Sequence, residues 1–212
     1  MTPDTKLDAA MRRLPLVAIL RGLTPADAPS IGAALDTAGF SLIEVPLNSP
    51  QPLASIATLV AQLPHALIGA GTVLTAAQVR EVRAAGAELI VSPNFDADVV
   101  RTAVQLGMVC LPGVMTPTEA FAALAAGASG IKLFPAELVP PAGVKAMRAV
   151  LSAQTLVLPV GGITPDSMGP YRAAGASGFG LGSALYRPGD DAAAVAAAAR
   201  RYVDAWNGWS QP

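Results

Sequence analysis

Two charged residues stand inside apolar runs where charge is expensive. Lys132 lies in Gly130-Ile131-Lys132-Leu133-Phe134-Pro135, and Glu44 lies in Ser41-Leu42-Ile43-Glu44-Val45. Burying an ammonium is unfavourable unless it is paired or loses its proton. A lysine that loses its proton is a nucleophilic amine, able to attack a ketone and form a Schiff base. The local run fits two other readings equally well: a surface lysine whose stem snorkels, or a lysine paired with a carboxylate. The other two lysines are ordinary. Lys6 sits in a polar N-terminal segment, and Lys145 lies in a helical pattern beside Met147 and Arg148.

Other chemistries are thinly supplied. His65 is the only histidine and follows Pro64, which reads as a turn, so a histidine-built metal site or triad is not expected. Cys110 is the only cysteine and lies in an apolar run, where it reads as core. One cysteine allows no intrachain disulfide and fits a reducing compartment. No metal and no cofactor is expected, although carboxylates alone can hold magnesium.

The 212 residues are 52% hydrophobic and 14% charged, with a net charge of −1 and no basic run. That balance fits a globular chain with a substantial core, and disfavours nucleic acid or an anionic membrane as partner. Asp4, Lys6, Asp8, Arg12 and Arg13 alternate with Leu7, Ala10, Met11 and Leu14, which predicts an amphipathic helix over 1–15 and not a signal peptide. No apolar stretch approaches the ~20 residues that span a bilayer. The chain reads as cytoplasmic.

A repeated unit must position the two charged residues. Apolar runs begin near Leu16, Ser41, Ala66, Glu88, Met108, Gly130, Leu156 and Gly178, each followed by a loop and a helical segment. Gly39, Gly86, Gly107, Gly127 and Gly175 mark helix ends. Thr24-Pro25, Thr116-Pro117 and Thr164-Pro165 read as N-caps with proline in the first helical position. Eight such units predict one (β/α)8 barrel domain over 1–212, with an additional N-terminal helix over 1–15. A doubly wound open sheet is the alternative, but no GxGxxG follows the first strand. Residues 188–212 read as an alanine-rich helix and tail. Its Trp206 and Trp209 are free to pack on the barrel or on a neighbouring subunit.

Barrel chemistry gathers at the C-terminal strand ends. Those ends carry Arg21, Glu44, Thr72, Pro93, Lys132 with Phe134, Gly161-Gly162 and Gly182-Ser183. Strand alternation turns Glu44 inward when Ile43 and Val45 face the helices, and Lys132 inward when Ile131 and Leu133 do. These are the second and sixth units, opposite each other in an eight-stranded barrel. Glycines at the last two strand ends, with a helix starting after Thr164-Pro165, suit a bound phosphate. A phosphorylated keto compound, a central amine and an opposing carboxylate together spell class I aldol chemistry.

The motifs Ala18-Ile19-Leu20-Arg21-Gly22, Ile43-Glu44-Val45-Pro46-Leu47-Asn48-Ser49-Pro50, Ile68-Gly69-Ala70-Gly71-Thr72-Val73-Leu74, Val91-Ser92-Pro93-Asn94, Ile131-Lys132-Leu133-Phe134-Pro135 and Val160-Gly161-Gly162-Ile163-Thr164-Pro165 carry a resemblance over nearly the whole chain. The sequence resembles the family of 2-keto-3-deoxy-6-phosphogluconate and 2-keto-3-deoxy-6-phosphogalactonate aldolases. The resemblance implies Lys132 as the Schiff-base residue and Glu44 as general acid/base. It also implies substrate contacts from Arg21 and Thr72, phosphate binding at the two glycine-rich ends, and a homotrimer. Asn48 and Val160 resemble the galactonate branch, where the gluconate branch often has arginine and threonine respectively. That makes Val160 a candidate selectivity residue.

The expected activity is cleavage of 2-dehydro-3-deoxy-6-phospho-D-galactonate to pyruvate and D-glyceraldehyde 3-phosphate. The gluconate aldolase is the nearest alternative. A phosphosugar isomerase or a non-catalytic phosphate-binding barrel are alternatives of other classes.

Overall fold

The computed structural model describes residues 2–209. Its strands and helices alternate in the order β1 Leu16–Ile19, α2 Ala28–Thr37, β2 Leu42–Pro46, α3 Pro52–Gln62, β3 Leu67–Gly71, α4 Ala76–Ala84, β4 Leu89–Val91, α5 Ala97–Gln105 and β5 Val109–Leu111. There follow β6 Gly113–Val114, α6 Pro117–Ala125, β7 Ile131–Leu133, a 3-10 turn Ala136–Leu138, α7 Pro141–Arg148, β8 Val157–Pro159, α8 Pro165–Ala173, β9 Phe179–Leu181 and α9 Ala192–Asn207. A helix α1, Pro3–Arg13, precedes β1 within the 1–15 segment expected to be helical.

All strand pairs are parallel. They form a six-stranded sheet ordered β5-β4-β3-β2-β1-β9 and a three-stranded sheet ordered β6-β7-β8. The fifth expected strand is therefore two segments, split at Pro112. Proline has no N–H to give to a ladder. The chain pairs with β4 before Pro112 and with β7 after it, and the Pro112 carbonyl accepts from Lys132 N–H at 2.9 Å. At the other margin a parallel bridge joins Val160 to Gly180.

The sheets are curled about a shared inner face. Leu158 of the second sheet joins Val17, Leu42, Leu67, Leu89 and Val109 of the first in one buried cluster. The opposite faces of the same strands, including Ile43, Val45, Ile131 and Leu133, pack in a larger cluster against the helices. Near-continuous apolar strands have this consequence, because both faces need covering. Helix α1 places Leu7 and Ala10 in the inner cluster, and Lys6 pairs with Glu88 at the start of β4.

The helix boundaries follow the expected chemistry with one exception. Gly39, Gly86, Gly107, Gly127 and Gly175 all have left-handed φ, a conformation that glycine adopts without the Cβ penalty. Thr116 caps α6 in a capping box with Glu119. Thr164 N–H donates to Ser167 Oγ at 2.9 Å as α8 begins. The exception is Thr24-Pro25, where residues 25–27 form a turn and the helix starts at Ala28. Pro29 explains the delay, since it has no N–H with which to close a helical bond to Pro25. Asp191 caps α9, and its aromatic end packs on this chain: Trp206 and Trp209 both lie over the Arg172 guanidinium, at 3.5 and 4.2 Å from the ring centroids. Among the described residues no helix is long and apolar enough to cross a membrane.

Candidate active site

Glu44 occupies the middle of β2, between outward-facing Ile43 and Val45, in register with Ile19 and Gly69. Lys132 occupies the middle of β7, between outward-facing Ile131 and Leu133. Alternation turns both side chains to the inner face, where they are 1% and 8% exposed. Both open into a cavity of about 580 Å³. They do not pair. Among the described residues the ion pairs are Lys6–Glu88, His65–Asp36 and Arg101–Asp98. The snorkelling and salt-bridged readings of Lys132 are both absent from this arrangement.

Burial drives both groups towards their neutral forms. Desolvation pushes the Glu44 carboxyl above its ordinary range, against the opposing pull of Lys132 and Arg21. Desolvation also holds the Lys132 amine below the usual lysine range; Glu44 works against that shift and Arg21 adds to it. A neutral amine is a nucleophile, and a carboxyl held towards its protonated form has a proton to give and, once ionised, takes one back readily. Lys132 Nζ also lies 4.9 Å from the centroid of the Phe134 ring, a cation–π contact available to the protonated form. Cys110, by contrast, is an inert core thiol, pushed up to about 12 by burial.

The remaining expected residues line the same cavity. Arg21 reaches it from the end of β1, where its Nη1 donates to Asn48 Oδ1 at 2.6 Å. Gly22 N–H donates to Ser49 Oγ at 2.9 Å, which stitches this loop to the one after β2. Thr72 follows β3 with φ 56°, a left-handed conformation that threonine adopts at a cost of about 1–3 kcal/mol. Pro93 follows β4, and its carbonyl sits so close to Gly113 that a β-carbon there would overlap it. Val160, 7% exposed, leads into Gly161 and Gly162, whose φ values are 113° and 64°. Gly182 and Ser183 close the ring of residues at the end of β9. The Tyr202 hydroxyl of α9 donates to Ile163 O at 2.8 Å and anchors the double-glycine loop from behind.

Three further polar groups belong to this site. Asn48 holds Arg21, Glu137 lies against Gly161 and Gly162, and Arg187 lines the cavity after β9. Asn48 was available to a strand-end reading, two residues past β2. Glu137 and Arg187 stand four and six residues beyond their strands, and only the path of the loop brings them back. Among the described residues no group of three histidine, cysteine or acidic side chains is disposed to hold a metal ion.

Residues 7–197 match the family model described as KDPG and KHG aldolase. The chain belongs to this aldolase family. It is 52% identical over 182 residues to the probable 2-dehydro-3-deoxy-6-phosphogalactonate aldolase of Rhizobium meliloti (strain 1021), covering 85% of this chain and 86% of that one. It is 47% identical over 196 residues to the 2-dehydro-3-deoxy-6-phosphogalactonate aldolase of Escherichia coli (strain K12), covering 92% and 95%. A native KDPGal structure superposes with a TM-score of 0.90 at 46% identity, covering 92% and 95%. KDPG aldolase from Legionella pneumophila, with pyruvate captured at low pH as a covalent carbinolamine intermediate, superposes at 0.76 with 26% identity, covering 91% and 95%.

Proposed function

We propose that this chain is a class I aldolase that cleaves 2-dehydro-3-deoxy-6-phospho-D-galactonate to pyruvate and D-glyceraldehyde 3-phosphate in sugar-acid catabolism. The observation that carries the reading is the buried, unpaired Lys132 amine across one cavity from the buried, unpaired Glu44 carboxyl. The two relatives bearing the galactonate name support this substrate.

Lys132 Nζ attacks the C2 carbonyl, and Glu44 delivers the proton that completes the carbinolamine. Glu44, now a carboxylate, takes a proton back from the newly attached nitrogen and gives it to the departing hydroxyl; water leaves, and a protonated imine remains. Glu44 next takes the proton of the C4 hydroxyl. The C3–C4 bond breaks, its electron pair moves into the imine as an enamine, and D-glyceraldehyde 3-phosphate departs. Protonation at C3 and hydrolysis release pyruvate and restore the free amine. Low exposure at Lys132 serves the first step, because an ammonium has no lone pair to offer.

In this reading Arg21 and Thr72 hold the polar end of the substrate. Phe134 and Pro93 form its apolar walls, and the glycine-rich ends at Gly161-Gly162 and Gly182-Ser183 bind the phosphate. Val160 faces the C4 hydroxyl and selects the galactonate epimer. The nine strand segments act as one closed (β/α)8 barrel over the whole chain, the Val160–Gly180 bridge joining the two sheets, with α1 as an added helix beneath it. The enzyme works in the cytoplasm as a homotrimer, and half-exposed Phe121 and Met115 are apolar surface that a neighbouring subunit would cover.

Borohydride reduction in the presence of pyruvate, followed by peptide mass mapping, tests the mechanism. An adduct on Lys132 is expected, and an adduct elsewhere, or none, sinks it. Pyruvate release measured on both C4 epimers separates the galactonate from the gluconate activity.

A further inference from the structure

The loop after β9 carries a cation for which the catalytic reading has no task. Arg187 lines the cavity beside Ser183, and its Nε donates to the Ser183 carbonyl at 2.9 Å. Its own N–H donates to Asp190 Oδ2 at 2.8 Å, so backbone and side chain are both held. The two Nη groups make no hydrogen bond or ion pair among the described residues.

The charge at this end of the cavity needs such a group. Glu137 packs so closely on Gly161 and Gly162 that a β-carbon on either would meet its side chain. Backbone N–H groups alone would therefore present a phosphate dianion with a neighbouring carboxylate. Arg21, at the end of the neighbouring strand β1, is already engaged: its Nη1 donates to Asn48 Oδ1, and it lies beside Glu44 and Lys132. A guanidinium braced through Nε leaves its planar Nη edge free, a geometry that suits phosphate oxygens.

We propose that Arg187 is the specificity-determining residue for the phosphate at the far end of the substrate, selecting phosphorylated over unphosphorylated ligands. This rests on the aldolase reading above. Arg187 acts on binding of the distal group and not on imine formation at Lys132, where only pyruvate carbons are involved.

The test condenses pyruvate with D-glyceraldehyde 3-phosphate and, separately, with D-glyceraldehyde, using the full chain, Arg187→Gln and Arg187→Lys. Glutamine keeps a donor for the Ser183 carbonyl but removes the charge. The ratio of kcat/KM for the phosphorylated over the unphosphorylated aldehyde should fall about 10- to 100-fold in Arg187→Gln, chiefly through KM. The fall should be smaller in Arg187→Lys and should shrink as salt is added. An unchanged ratio, or an equal loss on both aldehydes, overturns the proposal. Borohydride trapping with pyruvate alone separates the two readings: an adduct on Lys132 with an unchanged ratio defeats only the role of Arg187, whereas no adduct in the parent defeats the aldolase reading and this inference with it.

Discussion

The Glu44 carboxylate fills a space that exists because position 71 has no side chain: a β-carbon on Gly71 would overlap Glu44 Oε2. Gly71 ends β3, in register with Pro46 two residues beyond Glu44, and its φ is not among the left-handed values. Room, and not backbone freedom, is what glycine provides there. Gly71→Ala should therefore displace a movable carboxylate more than it strains the sheet. Turnover should drop about 100-fold or more, with a loss of stability of about 1–3 kcal/mol at most. Pyruvate release and thermal melting on the same sample check this, and a folded variant with full activity would show that Glu44 need not sit where it does.

The charges around Lys132 predict two opposite movements of its titration. Borohydride trapping with pyruvate needs the free amine, so its rate rises with pH through the Lys132 pKa, which burial places below the ordinary 10.5. The Glu44 carboxylate raises that pKa, so Glu44→Gln should shift the rising limb to lower pH. Arg21 lowers it, so Arg21→Met should shift the limb to higher pH. Trapping rates across pH for the parent and both variants read the directions. Shifts of the same sign would mean that the three groups do not share one field.

Much of this site was legible because its chemistry violates a local rule. Glu44 and Lys132 stand out as charges inside apolar strands, and period-two alternation was enough to turn both inward. Helix C-termini were equally readable, since glycine at the left-handed position has a local cause. What escaped depends on neighbours distant in sequence. The split at Pro112 reflects a change of partner from β4 to β7, and the late start of α2 reflects Pro29, a few residues past the apparent cap. Nothing in Gly71-Thr72 announces that the threonine, and not the glycine, takes the left-handed φ. Arg187 and Glu137 enter the cavity through the course of their loops, which periodicity does not encode. The placement of Trp206 and Trp209 on Arg172 was open in the sequence because stacking partners have no spacing rule.

The buried pair should lower the stability of the fold that holds it. Glu44 has a raised pKa, so its stabilising contribution is complete below 4.5 and is lost as pH rises through the folded value. Lys132 has a lowered pKa, so its contribution is complete above 10.5 and is lost as pH falls through the folded value. Between those limits the two groups oppose folding relative to uncharged side chains of similar shape. The double variant Glu44→Gln/Lys132→Met should be inactive and more stable by about 1–4 kcal/mol. Its stability should also vary less with pH across that window. Chemical denaturation at several pH values measures both effects. A double variant less stable than the parent would mean that the mutual attraction of the pair exceeds its desolvation.

Selectivity between the C4 epimers is predicted to reside in Val160. Its side chain borders the cavity, and one of its methyl groups sits where a β-carbon on Gly180 would meet it, so the wall is tightly packed and apolar. Threonine has nearly the same shape but exchanges a methyl for a hydroxyl. In Val160→Thr that hydroxyl can bond the substrate hydroxyl at C4, beside the bond that breaks, in the epimer whose configuration brings the two together. The ratio of kcat/KM should move towards the gluconate epimer by about 10-fold or more, with the borohydride adduct on Lys132 unchanged. Measuring both epimers on both proteins decides it. If the ratio stays fixed in a folded Val160→Thr protein, discrimination must come from the other wall, where Asn48 sets the position of the Arg21 guanidinium.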